Sequence, residues 1–164
     1  MTKTSDVMDK HAMAIGYVAC SWSNLQDNLG HLYSAVISDG GLSEIGLATW
    51  HCHQSDRAQR DMLLAAAESA FQTRPELIDK IRSLKVKVDA LADLRNDFIH
   101  ASYALLHRAK DTVVIPHDYY GNKRSKKLAK KFTEGSLLGE LRAFQTKLDE
   151  ATHRCDKIFQ CLNA

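Results

Sequence analysis

The sequence predicts an all-α fold: an antiparallel bundle of about four main helices with a short hairpin or loop before the last. Two observations carry this reading. Apolar residues recur at alternating steps of three and four from Ile15 to Val36, from Leu77 to Phe98 and from Leu137 to Leu162, which is the period of a helix with one buried face. A further helical pattern fills 43 to 72, and only a short stretch near 104 to 115 switches to the composition of strands. At 164 residues and 45% hydrophobic content the chain is long enough for one core and too short for two comfortable ones, so a single domain, 1 to 164, is expected.

Taken in order, the first helix follows from Ile15, Val18, Trp22, Leu25, Leu29, Leu32 and Val36 and stops at Asp39-Gly40-Gly41. Trp22 lies within its stripe and is read as core. Between 43 and 72 the pattern is strongest from Asp56 to Phe71, where Met62, Leu63, Ala66, Ala67 and Ala70 share one side, with a break near His51 to Gln54. The third long helix opens with Thr73-Arg74-Pro75-Glu76, where Thr73 would cap and Glu76 would return the capping-box bond. Pro75 loses no needed donor there, and the helix is expected to run to about Tyr103.

After it, Ala104 to His107, a polar turn at Arg108 to Asp111, and Thr112 to Ile115 bounded by Pro116 read as a short hairpin. Residues 119 to 132 carry six cations and no acid, and are expected to form a mobile basic loop or a frayed helix start. The last helix repeats the four-three spacing through Leu137, Leu141, Phe144, Leu148, Ala151, Cys155, Ile158 and Leu162. With the other three it makes an antiparallel bundle the natural solution.

Lys and Arg exceed Asp and Glu by only two, so attraction to nucleic acid would have to come from a local patch. The first twenty residues lack the apolar core of a signal peptide and no stretch approaches a membrane span, so a cytoplasmic protein without a membrane partner is expected. Cys20, Cys52, Cys155 and Cys161 show no paired CxxC spacing. They are read as small buried hydrophobes in a reducing compartment, without a structural disulfide.

The anomaly is Arg95. It occupies a core-facing place in the stripe Leu77, Ile81, Leu84, Val88, Leu91 and Phe98, which continues less strictly to Ser102 and Leu105. Cations rarely go inside unpaired, and five residues later stands His100, the side-chain type best suited to proton transfer near neutral pH. At about 100° per residue an ideal helix separates Arg95 from His100 by about 140°, whereas Asn96 and His100 share a face, so the amide is expected to orient the imidazole. Two copies of this helix about a twofold axis would line one cleft and complete the site. The plain alternative is that Arg95 and His100 pair with Asp89, Asp93 or Asp97 and complement the helix dipole. Asp97 itself would repel a phosphate and is read as solvated.

Arg95-Asn96-Asp97-Phe98-Ile99-His100 resembles the hallmark of the HEPN superfamily: an Arg, a following polar residue, and a His four intervening residues beyond the Arg, near the end of a late helix in a small helical bundle. The apolar lead-in Leu91-Ala92-Asp93-Leu94 is similar as well. In helix count and motif placement the likeness covers most of the chain; at residue level it is confined to about a dozen positions around the motif. Many members of that superfamily cleave RNA as dimers without a metal, often as toxins or phage-defence effectors, and others bind nucleotides or partners without catalysis. The resemblance therefore implies an endoribonuclease with Arg95, Asn96 and His100 at its catalytic site. It also implies a homodimer, no cofactor or metal, and RNA as substrate. Arg95 would hold the scissile phosphate, His100 would move a proton to or from the 2'-hydroxyl or leaving oxygen, and Asn96 would orient either. A non-catalytic RNA- or nucleotide-binding module, or a helical domain that docks a protein such as an antitoxin, is the alternative.

Beside the motif, Lys123, Arg124, Lys126, Lys127, Lys130 and Lys131, with Tyr119 and Tyr120 just before them, combine cations for phosphates with rings that would stack on bases, and form the candidate RNA-binding surface. His51, Cys52 and His53 have the composition of metal ligands, but consecutive helical residues diverge by about 100° and no second cluster completes a set. His153 with Cys155, and His107 with His117, are read as ordinary residues. There is no phosphate-binding glycine loop, no GxSxG elbow and no paired-carboxylate signature.

Overall fold

The computed structural model describes residues 3 to 118 and 121 to 163, with side chains from Asp6 onward. The described residues are mostly helical: α1 (Lys3–Ile37), α2 (Glu44–Cys52), α3 (Asp56–Ala70), α4 (Pro75–His100), α5 (Lys123–Lys131) and α6 (Leu137–Leu162), with an antiparallel pair of strands, β1 (Tyr103–His107) and β2 (Thr112–Pro116), between α4 and α5. No helix among them is long and apolar enough to cross a membrane. The chain forms two compact units, Met1–Ser21 with Ala92–Lys147 and Trp22–Leu91 with Leu148–Ala164, so that α1, α4 and α6 each contribute residues to both.

In the unit of Trp22–Leu91 and Leu148–Ala164 the three stripes supply the core directly. Leu25, Leu29, Leu32 and Val36 of α1, Leu77, Ile81, Leu84 and Val88 of α4, and Leu148, Ala151, Cys155 and Ile158 of α6 are buried. α1 ends where Asp39 (φ 53°) and Gly40 (φ 92°) turn left-handed and the Gly40 amide returns to the Ala35 carbonyl at 2.9 Å. The expected break near His51 to Gln54 separates α2 from α3, and each of these helices is capped by a serine, Ser43 and Ser55. Trp50 packs so closely on α1 that a Cβ at Gly30 would stand 2.8 Å from its ring. Trp22 is buried as expected, and its indole N–H donates to Asp56 at 3.1 Å. Buried Arg60 stacks beneath Trp22 and donates to Asp89 at 2.7 Å, the partner a buried guanidinium requires.

α4 starts differently from the capping box expected. Glu76 pairs with Arg74 at 3.6 Å, and Thr73 makes no capping bond among the described residues. Its end also falls short of Tyr103, which is already the first residue of β1 and faces Pro116 across the ladder. Of the four cysteines, all present as thiols, only Cys155 is fully buried; its Sγ donates to the Asn28 carbonyl, and burial pushes its pKa up to about 12. Cys20 and Cys52 are exposed, against the expectation that all four would pack as hydrophobes.

The unit of Met1–Ser21 and Ala92–Lys147 gathers around Phe98, which stacks on Phe132 at 5.7 Å and tilts against Phe144 at 5.3 Å. Val18, Val114, Leu128, Leu137 and Leu141 complete this core. Here α1 extends well before Ile15, and His11, which the stripe pattern did not reach, is buried edge-on against Tyr103 with ring centroids 4.5 Å apart.

Candidate functional site

α4 carries Arg95, Asn96 and His100 on its last turns and remains a regular helix to His100; the Ala101 amide still bonds back to Asp97 at 3.1 Å. No distortion of the helix end turns His100 toward Arg95, so the divergence of about 140° expected of an ideal helix stands. Arg95 is half-buried and its Nη1 donates to Asn96 Oδ1 at 2.9 Å. The amide oxygen is thus taken by the arginine, not by the imidazole it was expected to orient. His100 is exposed, and among the described residues its side chain makes no hydrogen bond.

The turn between these residues holds the largest correction. Asp97, read as solvated, is 6% exposed, and its carboxylate forms an ion pair with Lys127 at 2.5 Å. Burying a carboxylate is costly unless a cation compensates it, and the compensating cation comes from the basic segment thirty residues further along.

From Lys123 to Lys131 that segment is a regular helix, where a loop or frayed start was expected. Asn122 caps α5, accepting from the amides of Arg124 at 3.0 Å and Ser125 at 3.3 Å. An asparagine directly before the cationic run was the local signal for this cap. Ser125 and Leu128 turn inward, while Lys123, Arg124, Lys126, Lys127, Lys130 and Lys131 are all exposed.

Polar bonds tie α5 to the end of α4. The Asn122 amide donates to Ser102 Oγ at 3.1 Å and to the His100 carbonyl at 3.3 Å, and Ser125 Oγ accepts from the Ser102 amide at 2.9 Å. Tyr103 joins from β1, donating its hydroxyl to the Phe98 carbonyl at 2.6 Å; burial, with the Asp97 charge nearby, raises its pKa and keeps that donor protonated. The sequence flagged the cations of this assembly but missed Asn122, Ser125, Ser102 and Asp97, which hold them in place.

Replacing Asn122 by Ala removes a cap and two cross-element bonds and is expected to cost about 1–2 kcal/mol in chemical denaturation. Asn122→Asp keeps the acceptor, loses the donors and should fall between. A variant within about 0.3 kcal/mol of the parent would show that these bonds do not hold α5 in place.

Two of the six cations are already committed, Lys127 to Asp97 and Lys126 to Asp118 at 3.0 Å. Lys123, Arg124, Lys130 and Lys131 form no ion pair among the described residues, although Lys131 lies 5.5 Å from the Phe132 ring centroid. Tyr119 and Tyr120, the candidate stacking rings, lie outside the described residues. His51, Cys52 and His53 are exposed around the C-terminal end of α2, and no three His, Cys, Asp or Glu side chains among the described residues are grouped to hold a metal ion. His107 meets Thr112 across the hairpin at 3.1 Å, and the His117 amide bonds to Ser102. No protein-family model, no curated protein and no solved structure matches this chain.

Proposed function

We propose that this chain is an HEPN-like endoribonuclease, a toxin or defence effector, that cleaves RNA by attack of the 2'-hydroxyl on the adjacent phosphate. The observation that supports it best is the docking of the cationic helix α5 against the helix end that carries Arg95 and His100, within one compact unit. Phosphates drawn to the free face of α5 would lie nearest His100, about 60° around α4 from the Asp97 that meets Lys127, whereas Arg95 stands about 160° away from it.

The chemistry asks for little more. Arg95 would hold the scissile phosphate and the charge that develops on it, Asn96 fixes the guanidinium through the bond at 2.9 Å, and His100 would transfer a proton at the 2'-oxygen or the leaving 5'-oxygen. Because a regular α4 sends Arg95 and His100 to different faces, the working site is composed by a homodimer in which two copies of α4 line one cleft. Each copy folds as the antiparallel bundle the stripes predict, with α1, α3, α4 and α6 as its main helices. The expected products are a 2',3'-cyclic phosphate and a 5'-hydroxyl, formed in EDTA from structured or unstructured RNA and not from DNA. Intact RNA after prolonged incubation with the purified protein would sink the nuclease assignment.

The exposed, unoriented His100 favours one second reading: a module that binds RNA without cutting it. Both readings need the cations of α5. Neutralising Lys123, Lys130 and Lys131 together is expected to lower the slope of log affinity against log salt by about 2 on single-stranded RNA, from about 0.7 per lost phosphate contact. An unchanged slope in a filter-binding salt titration would remove α5 from the interface and leave docking of a protein partner such as an antitoxin as the remaining assignment.

A further inference from the structure

In the unit of Trp22–Leu91 and Leu148–Ala164, the first turns of α4 and the last turns of α6 flank a trough of about 940 Å3. Its wall is mostly apolar, with Leu84, Ile158 and half-buried Cys161 as floor and the aliphatic stems of Lys80, Arg154 and Lys157 as sides. Lys80 leans over the floor, its Nζ 3.8 Å from Cys161 Sγ. The two acids of the trough are occupied from outside it: Asp79 holds Arg82 at 2.6 Å and Glu76 holds Arg74 at 3.6 Å. Lys80, Arg154 and Lys157 form no ion pair among the described residues. An apolar floor between uncompensated cations calls for an occupant that is apolar on one side and anionic at its edges.

Shape chooses among such occupants. From Glu76 to Leu84 the α4 wall rises about 12 Å, a little over two helical turns. Small amphiphiles are held with most of their surface enclosed, which a trough open along one side does not provide. A helix laid between α4 and α6 suits it better, since its outer face stays wet while residues at i, i+3 or i+4, and i+7 reach the floor. We propose that this trough docks a short amphipathic helix of a partner protein, its apolar stripe over Leu84 and Ile158 and its flanking carboxylates on Lys80, Arg154 and Lys157.

The test uses the full chain and two labelled helical peptides of about four turns, alike in their leucine stripe and flanked by Glu in one and Lys in the other. Fluorescence anisotropy should show the Glu peptide binding at least about tenfold more tightly. Ser83→Trp, which fills the trough from an exposed helical position, should abolish this binding, and Arg154→Glu with Lys157→Glu should reverse the preference. His100→Ala should leave peptide binding unchanged, which separates this site from the nuclease assignment. Equal affinity for the two peptides, no binding of either, or indifference to Ser83→Trp overturns the proposal. So does a trough that takes dodecanoate or a second copy of the chain in place of the peptide.

Discussion

His100→Ala is expected to lower RNA cleavage by about 10²- to 10⁴-fold, the usual worth of a positioned general acid or base, while RNA affinity changes little. Under the nuclease assignment affinity would rest on the cations of α5, and the bond from Asn122, the cap of that helix, goes to the His100 backbone carbonyl, which the substitution keeps. Arg95 should behave differently. Arg95→Ala removes the guanidinium that donates to Asn96 and would bind phosphate, so rate and affinity should fall together, and Arg95→Lys should rescue poorly because an ammonium lacks the bidentate fork. Mixing the two inactive variants then tests the composite site. If Arg95 of one copy works with His100 of the other, a mixed dimer regains one intact site of two, and random exchange restores about a quarter of parental activity. Full activity of His100→Ala ends the nuclease assignment, and a mixture that stays inactive ends the composite one.

The helices were legible because apolar periodicity is a local, one-dimensional signal. Val18, Trp22, Leu25, Leu77, Ile81, Val88, Leu141 and Leu148 are buried where their spacing places them. The hairpin was legible for the same reason, its change of period and polar turn matching the ladder from Tyr103 with Pro116 to His107 with Thr112. What escaped depends on partners distant in sequence. Asp97 looked solvated because no cation near it in the chain explained its burial; Lys127 does, and only the fold brings it within reach. Asn96 shares a helical face with His100, yet its neighbour Arg95 captures the amide, a contest that helical angles alone do not decide. His11 escaped because it continues the α1 stripe toward the N-terminus as a polar member, where an apolar count stops at Ile15.

That buried imidazole sets the second large expectation. His11 is 3% exposed, neither ring nitrogen has a hydrogen-bond partner among the described residues, and burial lowers its pKa from 6.5 to about 4. Between those two values the unfolded chain holds a proton on His11 that the folded chain refuses. Stability therefore is complete above pH 6.5 and declines as the pH falls toward 4, below which both states are protonated and this contribution levels off. The loss amounts to roughly 3 kcal/mol at about 1.4 kcal/mol per pKa unit, a large share of a small domain's margin. Carboxylates act in a different window. Burial would raise the pKa of Asp89, but the hydrogen bonds from Lys85 and Arg60 hold it below its ordinary value, so its contribution disappears only at still lower pH. His11→Phe keeps an aromatic edge against Tyr103 and removes two unsatisfied nitrogens, so it should match or exceed the parent at pH 7. Its denaturation midpoint should stay nearly flat from pH 6.5 to 4.5 while that of the parent falls. Parallel declines in the two proteins would show that His11 takes up its proton without unfolding the Tyr103 contact.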